Sequence, residues 1–208
     1  MPSASKAVLQ PRKTPVQARS TASVNAILEA TIQVLLEVGK ERLTTTRVAY
    51  RAGVSVGTLY QYFPNKGALL QAALKNHLEL VADAVERVCR EERGGPPSQM
   101  VTRIVDKFLE AKMKDIKTSV ALYSVSSDVE GSKIVEKTAA RMNKAITCML
   151  ATTREPLQKD PQLVASMIQS AMAGVSRKLL ESSSPDKQFM PLKQELILML
   201  TAYLDASL

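Results

Sequence analysis

The chain has no tryptophan, one histidine, two cysteines and three phenylalanines among 208 residues. These scarcities remove several kinds of chemistry. The lone His77 lies twelve residues before Cys89, which separates them by roughly 18 Å along one helix at 1.5 Å per residue, too far to share a metal ion. No nucleophile, base and orienting acid assemble into a triad, so the expected protein is not an enzyme and carries no cofactor or metal. Cys89 and Cys148, few and far apart within helical pattern, are expected as buried free thiols rather than a disulfide. Only four aromatics follow residue 66, which disfavours a stacked cage for flat aromatic cations.

Long apolar runs are missing too. None approaches the roughly 18 residues of a membrane span, and the opening MPSASKAVLQPRKTP has no signal-peptide apolar region. A cytoplasmic protein with no membrane partner is expected. Gly53 to Thr58, GVSVGT, echoes a phosphate loop but lacks the Gly-Lys pair and follows a helix rather than a strand. Glu91-Glu92 reads as a solvated charge pair.

What is present is helical periodicity, with no competing strand pattern and no internal repeat. Residues 1–20, rich in Ser, Pro, Ala and basic side chains, read as a mobile tail whose Arg12, Lys13 and Arg19 could reach DNA or stay solvated. A first helix is expected from Ser20–Ser23 to Val38, burying Val24, Ile27, Leu28, Thr31, Leu35 and Val38 before Gly39 ends it. A connecting helix should run from Lys66 to about Arg93, stopped by Gly94-Gly95-Pro96-Pro97. Beyond it, helices are expected at about 98–115, 117–127, 131–154, 161–183 and 188–206. The expected domains are therefore 21–66 and a helical 67–208.

The most informative stretch is Thr44 to Lys66, TTTRVAYRAGVSVGTLYQYFPNK. Val48, Ala49 and Ala52 lie one turn apart, so a short helix capped by Thr44 can bury one face until Gly53 breaks it. Ser55 can cap a second helix in which Leu59 and Phe63, at i and i+4, point inward. Val56, Gly57, Tyr60 and Gln61 are then left outside. Two short helices joined by a tight glycine turn match the helix-turn-helix pattern, whose second helix enters the DNA major groove.

The outer face has the chemistry for that task. Gly57 lets the backbone approach a phosphate or base edge closely. Ser55 is counted among the DNA-contacting residues as well as a cap; Thr58, Tyr60 and Gln61 offer hydroxyl and amide groups, Gln61 can pair with adenine, and Val56 can touch a thymine methyl. Tyr62 divides evenly between packing and phosphate contact. Thr45, Thr46 and Arg47 form a first turn where a cation opposes the helix dipole and would gain from a phosphate. Lys66, at the start of the next helix, could complete a phosphate clamp. Residues 1–66 carry nine Lys and Arg against three Glu, a net of +6, whereas the remainder carries only +2. That asymmetry predicts salt-sensitive DNA binding. A membrane surface could attract the same charge, but the first twenty residues lack the required amphipathic basic helix.

In its AGVS, Gly-Thr-Leu-Tyr, aromatic pair and Phe-Pro-Asn-Lys runs, in that order, the segment resembles the TetR family of bacterial transcriptional regulators. The resemblance covers about Ser23 to Leu74. Many TetR-like sequences carry an acidic residue at the place of Arg47 and a histidine at that of Gln61, so the operator sequence does not carry over. The resemblance implies an all-α fold of about nine helices, with a three-helix DNA-binding domain and a C-terminal effector and dimerisation domain. It also implies a cytoplasmic, nucleoid-associated homodimer that binds a double-stranded operator and answers to a small molecule.

For the effector, Phe108, Met113, Tyr123, Met142, Met149, Met167 and Met172 could line a deformable apolar pocket or could equally be core. For the dimer, Ala165, Ala171, Ala173 and Gly174 permit close helix approach, and Leu192, Leu196, Leu200 and Tyr203 form an apolar stripe. The expected function is a repressor released from a palindromic operator by a small, mostly apolar ligand. The alternative is an architectural DNA-binding protein, or a regulator governed by a protein partner.

Overall fold

The computed structural model describes the backbone of residues 14–126 and 131–208, with side chains from residue 20 onward. Among the described residues there are nine helices and no strand. The chain divides into two compact units, Met1–Lys66 and Gly67–Leu208.

The first unit holds α1 (Thr14–Arg42), α2 (Thr45–Ala52) and α3 (Val56–Tyr62). Buried Ile27, Leu28, Ala30, Thr31, Val34 and Leu35 form the inner face of α1. This helix packs on α2, and α2 on α3. Helical geometry breaks at Gly39, whose φ of 74° is the left-handed region that glycine tolerates. The helix starts at Thr14, earlier than the expected Ser20–Ser23. Pro15 falls in its first turn, where a missing N–H costs nothing, and Gln17, Ala18 and Arg19 are good helix formers. Arg12 and Lys13, with the rest of 1–13, lie outside the described residues, as does the side chain of Arg19.

The stretch Ser20–Arg42 reaches a mean hydropathy of 1.2 over 18 residues, enough by length and composition to cross a membrane, which the sequence reading did not anticipate. Its polar residues explain its actual use. Asn25, Glu29, Gln33 and Glu37 recur every fourth position and are all exposed, leaving the apolar face to the small unit's core.

The second unit comprises α4 (Lys66–Glu91), α5 (Pro97–Met113), α6 (Ile116–Ser126), α7 (Gly131–Leu150), α8 (Pro161–Leu180) and α9 (Pro185–Asp205). Asp160 caps α8 by accepting from the Gln162 amide at 3.0 Å, ahead of Pro161 at the first helical position. The core gathers Val85 and Val88 of α4, Ile104 and Leu109 of α5, Ile146 and Leu150 of α7, and Ile168 and Leu179 of α8. Arg141 ties α7 to α4, with Nε 2.6 Å from Glu86 Oε1 and a further pair to Asp83. Lys193 lies 2.7 Å from Asp106, joining α9 to α5.

This packing overturns one sequence expectation, that of the dimer surface. Leu196 and Leu200 are 2 % exposed and Ala165 is fully buried, so they belong to the subunit's own core rather than a dimer surface. Leu192, Tyr203 and Ala171 pack against that core, and of the named set Ala173 and Gly174 are exposed. The proposed pocket residues occupy several environments. Phe108, Met149 and Met172 are core, Met113 and Met142 lean on it, and Tyr123 and Met167 are about half exposed. Cys89 is buried as expected, but Cys148 is exposed. Burial pushes the Cys89 thiol up to about 12, with Glu86 adding to the effect, so it is inert at neutral pH.

Candidate nucleic-acid interface

Local hydrogen bonds set the two short helices. Thr44 Oγ1 accepts from the Arg47 amide at 3.3 Å, satisfying a free N–H at the start of α2. At the other end Gly53, at φ 67°, donates to Tyr50 O, and Val54 donates to Ala49 O at 3.0 Å. This paired closure needs a left-handed residue, hence glycine. Ser55 Oγ then accepts from the Thr58 amide at 2.9 Å and shares a hydrogen bond with Thr58 Oγ1 at 2.8 Å. Inward-facing Val48, Ala49, Leu59 and Phe63 are all buried, and Leu43, which the periodicity did not single out, joins them.

The opposite face is open. Thr46, Arg47, Val56, Gly57, Tyr60 and Gln61 are exposed, and the side chains of Thr46, Arg47 and Gln61 have no hydrogen-bond or ionic partner among the described residues. Tyr60 is 48 % exposed, and its hydroxyl shares a 3.1 Å hydrogen bond with Thr45 Oγ1, fastening α3 to the start of α2. The pair places two hydroxyls side by side, with spare donor and acceptor capacity for a phosphate. Thr58 and Tyr62 are half-buried, and the Tyr62 ring tilts against Phe63 at 6.5 Å, so packing takes part of Tyr62.

Lys66 departs from the expected clamp. Its Nζ donates to Lys40 O at 2.5 Å and Glu41 O at 3.3 Å, closing the carbonyl end of α1 rather than standing free for phosphate. A cation at carbonyls near a helix C-terminus is favoured by the dipole. Lys66→Met is expected to destabilise the protein by about 1.5–3 kcal/mol, the usual range for charged hydrogen bonds. Thermal melts and salt titrations of duplex binding distinguish the roles: a lost phosphate contact lowers the salt slope by about one, whereas a lost α1 closure lowers Tm and leaves the slope unchanged.

A second fastening was invisible in the sequence. Arg51 on α2 pairs with Glu37 and reaches Gln33 Oε1 at 3.4 Å, both on α1. The partners are 14 and 18 residues away, beyond any local rule.

A cleft of about 510 Å³ in the second unit is lined by Ala139, Ala140, Asn143, Lys144, Thr147, Cys148, Gln162 and Gln169 of α7 and α8. Asn143, Lys144, Thr147, Gln162 and Gln169 share that lining with apolar surface, and no residue of the expected apolar pocket is among them. Among the described residues no cluster of three metal-binding side chains occurs.

Two capped helices around a left-handed glycine, one packed side and one unpaired polar side define a helix-turn-helix DNA-binding protein. Residues 27–73 match the family model for bacterial regulatory proteins of the tetR family, and residues 96–204 that for the tetracyclin repressor-like C-terminal domain. The chain belongs to the TetR family, whose members are transcriptional regulators and not enzymes.

It is 37% identical over 89 residues to the HTH-type transcriptional repressor KstR of Mycolicibacterium smegmatis, covering 43% of each chain. Against the HTH-type transcriptional regulator BetI 1 of Chromohalobacter salexigens it is 34% identical over 104 residues, 48% of this chain and 50% of the relative. The chain thus spans about half the length or less of these curated relatives. Among solved structures it resembles a TetR-family transcriptional regulator from Streptomyces coelicolor, with a TM-score of 0.68, 24% identity, and coverage of 91% of this chain and 99% of the other. It also resembles FadR from Bacillus subtilis in complex with stearoyl-CoA, with a TM-score of 0.65, 18% identity, and coverage of 85% and 96%. These two likenesses bear on the fold.

Proposed function

We propose that the protein is a cytoplasmic repressor that binds a palindromic operator as a homodimer and is released by a small, mostly apolar effector. The carrying observation is the division of α3 into buried Leu59 and exposed Val56, Gly57, Tyr60 and Gln61. A surface helix whose outer side chains, the Tyr60 hydroxyl apart, have no hydrogen-bond or ionic partner is suited to the major groove. Arg47, Thr46 and the Thr45–Tyr60 pair supply phosphate contacts that fix its register.

Two-fold pairing needs an exposed patch, and α8 and α9 carry one. Leu163 and Met167 lie one turn apart on α8, with exposed Gly174 two turns further on, and Leu198 and Met199 are exposed on α9. α8 packs on α9, and stripes on two adjacent helices can together meet their copies across a two-fold axis. The cycle requires an effector that binds one spacing of the two recognition helices better than the other. α4 follows Lys66 without a break and is the direct covalent route between the units.

Selection of duplexes from a random pool tests the reading. An inverted repeat is expected, preferred over unrelated DNA by about 4–10 kcal/mol. Uniform binding of all duplexes would instead mark an architectural protein. In the same selection Gln61→Ala is expected to relax one base position in each half-site, and an unchanged consensus would remove Gln61 from direct readout.

A further inference from the structure

The corner where α4, α5 and α6 meet holds a small polar cluster around one cation without a partner. His77 Nε2 on α4 shares a 3.0 Å hydrogen bond with Ser119 Oγ on α6, and that oxygen also lies 2.8 Å from Lys112 O near the end of α5. Ser119 is buried and His77 half-buried. The Lys112 side chain is half-buried too, yet its ammonium has no acceptor or ion-pair partner among the described residues. Every other lysine or arginine of the unit as withdrawn from water as this one has less reason to stand alone: Lys193 is paired with Asp106, and Arg103 with Glu92.

Asp115, three residues past Lys112, is turned elsewhere. Its Oδ2 accepts from Thr118 Oγ1 at 2.6 Å and its Oδ1 from the Thr118 amide at 3.0 Å, capping α6. Those hydrogen bonds hold its pKa below the usual carboxylate range. The corner is therefore a cationic position lacking a counter-ion, and burial depresses the proton affinity of both Lys112 and His77, with Lys112 adding to the effect on His77. An anion arriving there would find three ammonium N–H donors free. Exposed apolar side chains follow on the same helices: Leu80, one turn past His77, is 63 % exposed, and Val120 and Tyr123, next to and one turn past Ser119, are exposed as well.

We propose that Lys112, beside the hydrogen-bonded His77–Ser119 pair, anchors the anionic head of an amphiphilic effector whose apolar tail lies along Leu80, Val120 and Tyr123. This deepens the effector reading above and rests on it: a carboxylate or phosphate monoester on a flexible chain supplies what Lys112 lacks, and its tail covers the exposed apolar side chains. A neutral or cationic ligand would leave the ammonium desolvated without a partner.

Calorimetric titration of the full chain with decanoate, decyl phosphate and decanol tests it, using the wild type, Lys112→Met and Lys75→Met, the last removing an exposed lysine of α4. At least one of the two anions is expected to bind the wild type more than 10-fold tighter than decanol. Lys112→Met should lose that margin while binding decanol as before, and Lys75→Met should keep it. Equal binding of anions and decanol, or an anion preference that survives Lys112→Met, overturns the anchor while leaving an apolar effector site intact. Binding of none of the three also overturns it. The broader reading fails separately, if no ligand that binds this unit changes operator affinity.

Discussion

Leu198→Asp is expected to leave the subunit folded and to separate the proposed homodimer into monomers, read by sedimentation at micromolar concentration. Leu198 is 65 % exposed, so a carboxylate there stays in water in the monomer and costs the fold little. In the paired state it would be buried against the partner's apolar stripe without a counter-charge, a cost of several kcal/mol. The consequence for DNA follows from bivalency. Two joined reading heads gain about 10²–10⁴ over one through effective concentration, and the variant should forfeit most of that on an inverted repeat while keeping its weak half-site affinity. Leu196→Asp, two residues away, should behave oppositely. Leu196 is 2 % exposed within the core of the second unit. Even Leu→Ala at such a site costs about 2–5 kcal/mol, out of a typical total of 5–15 kcal/mol, so a buried carboxylate is expected to prevent folding. A dimeric Leu198→Asp protein, or a folded Leu196→Asp protein, would show that the surface and core stripes have been assigned the wrong way round.

Gly57→Leu is expected to raise thermal stability and abolish tight operator binding. A Cβ built at Gly57 meets only Ser55 Oγ, at 3.7 Å, which is ordinary contact, so nothing inside the protein requires glycine there. Glycine in a helix is destabilising by roughly 0.5–1 kcal/mol relative to alanine, and replacing it should recover part of that. The remaining explanation for glycine is outside the subunit, where backbone and DNA must approach closely. A side chain in that gap would hold α3 away from the groove and weaken several contacts together, each worth about 1–3 kcal/mol. Gly57→Ala should show the same pair of signs at smaller size. Melting and operator titration on the same preparations provide the check. Unimpaired binding in the leucine variant would place Gly57 away from the DNA.

The DNA-reading side was legible in the sequence because the interactions that build it are short-range. Thr44 caps an amide three residues on, Ser55 does the same, and the Gly53 closure spans five residues. Within a seven-residue helix anchored by Leu59 and Phe63, the outer positions follow from the 3.6-residue period. Lys66 was misread for the opposite reason. Its position at the start of α4 suggested an anion, but its flexible stem reaches carbonyls 25 and 26 residues back, a partner no local rule supplies. The tie of Arg51 to Glu37 and that of Tyr60 to Thr45 are non-local in the same way.

The second unit shows where periodicity loses its power. Helix α9 carries Leu192, Leu196, Ile197, Leu198, Met199, Leu200, Tyr203 and Leu204, apolar around much of its circumference, so two stripes compete for the interior. Packing against α5 and α8 settles which is buried, taking Leu196, Leu200 and Leu204 inward and leaving Leu198 and Met199 outside. The methionines read as a pocket are mostly core for a related reason: side-chain composition does not tell a filled space from an empty one. By itself, then, the sequence determined the helical class, the capped helix-turn-helix and its outward chemistry, all products of contacts within a turn or two. Only the tertiary structure decided which faces of α8 and α9 remain open, where Lys66 spends its charge and that Lys112 stands without a counter-ion, because burial and ion pairing depend on residues brought together from distant parts of the chain.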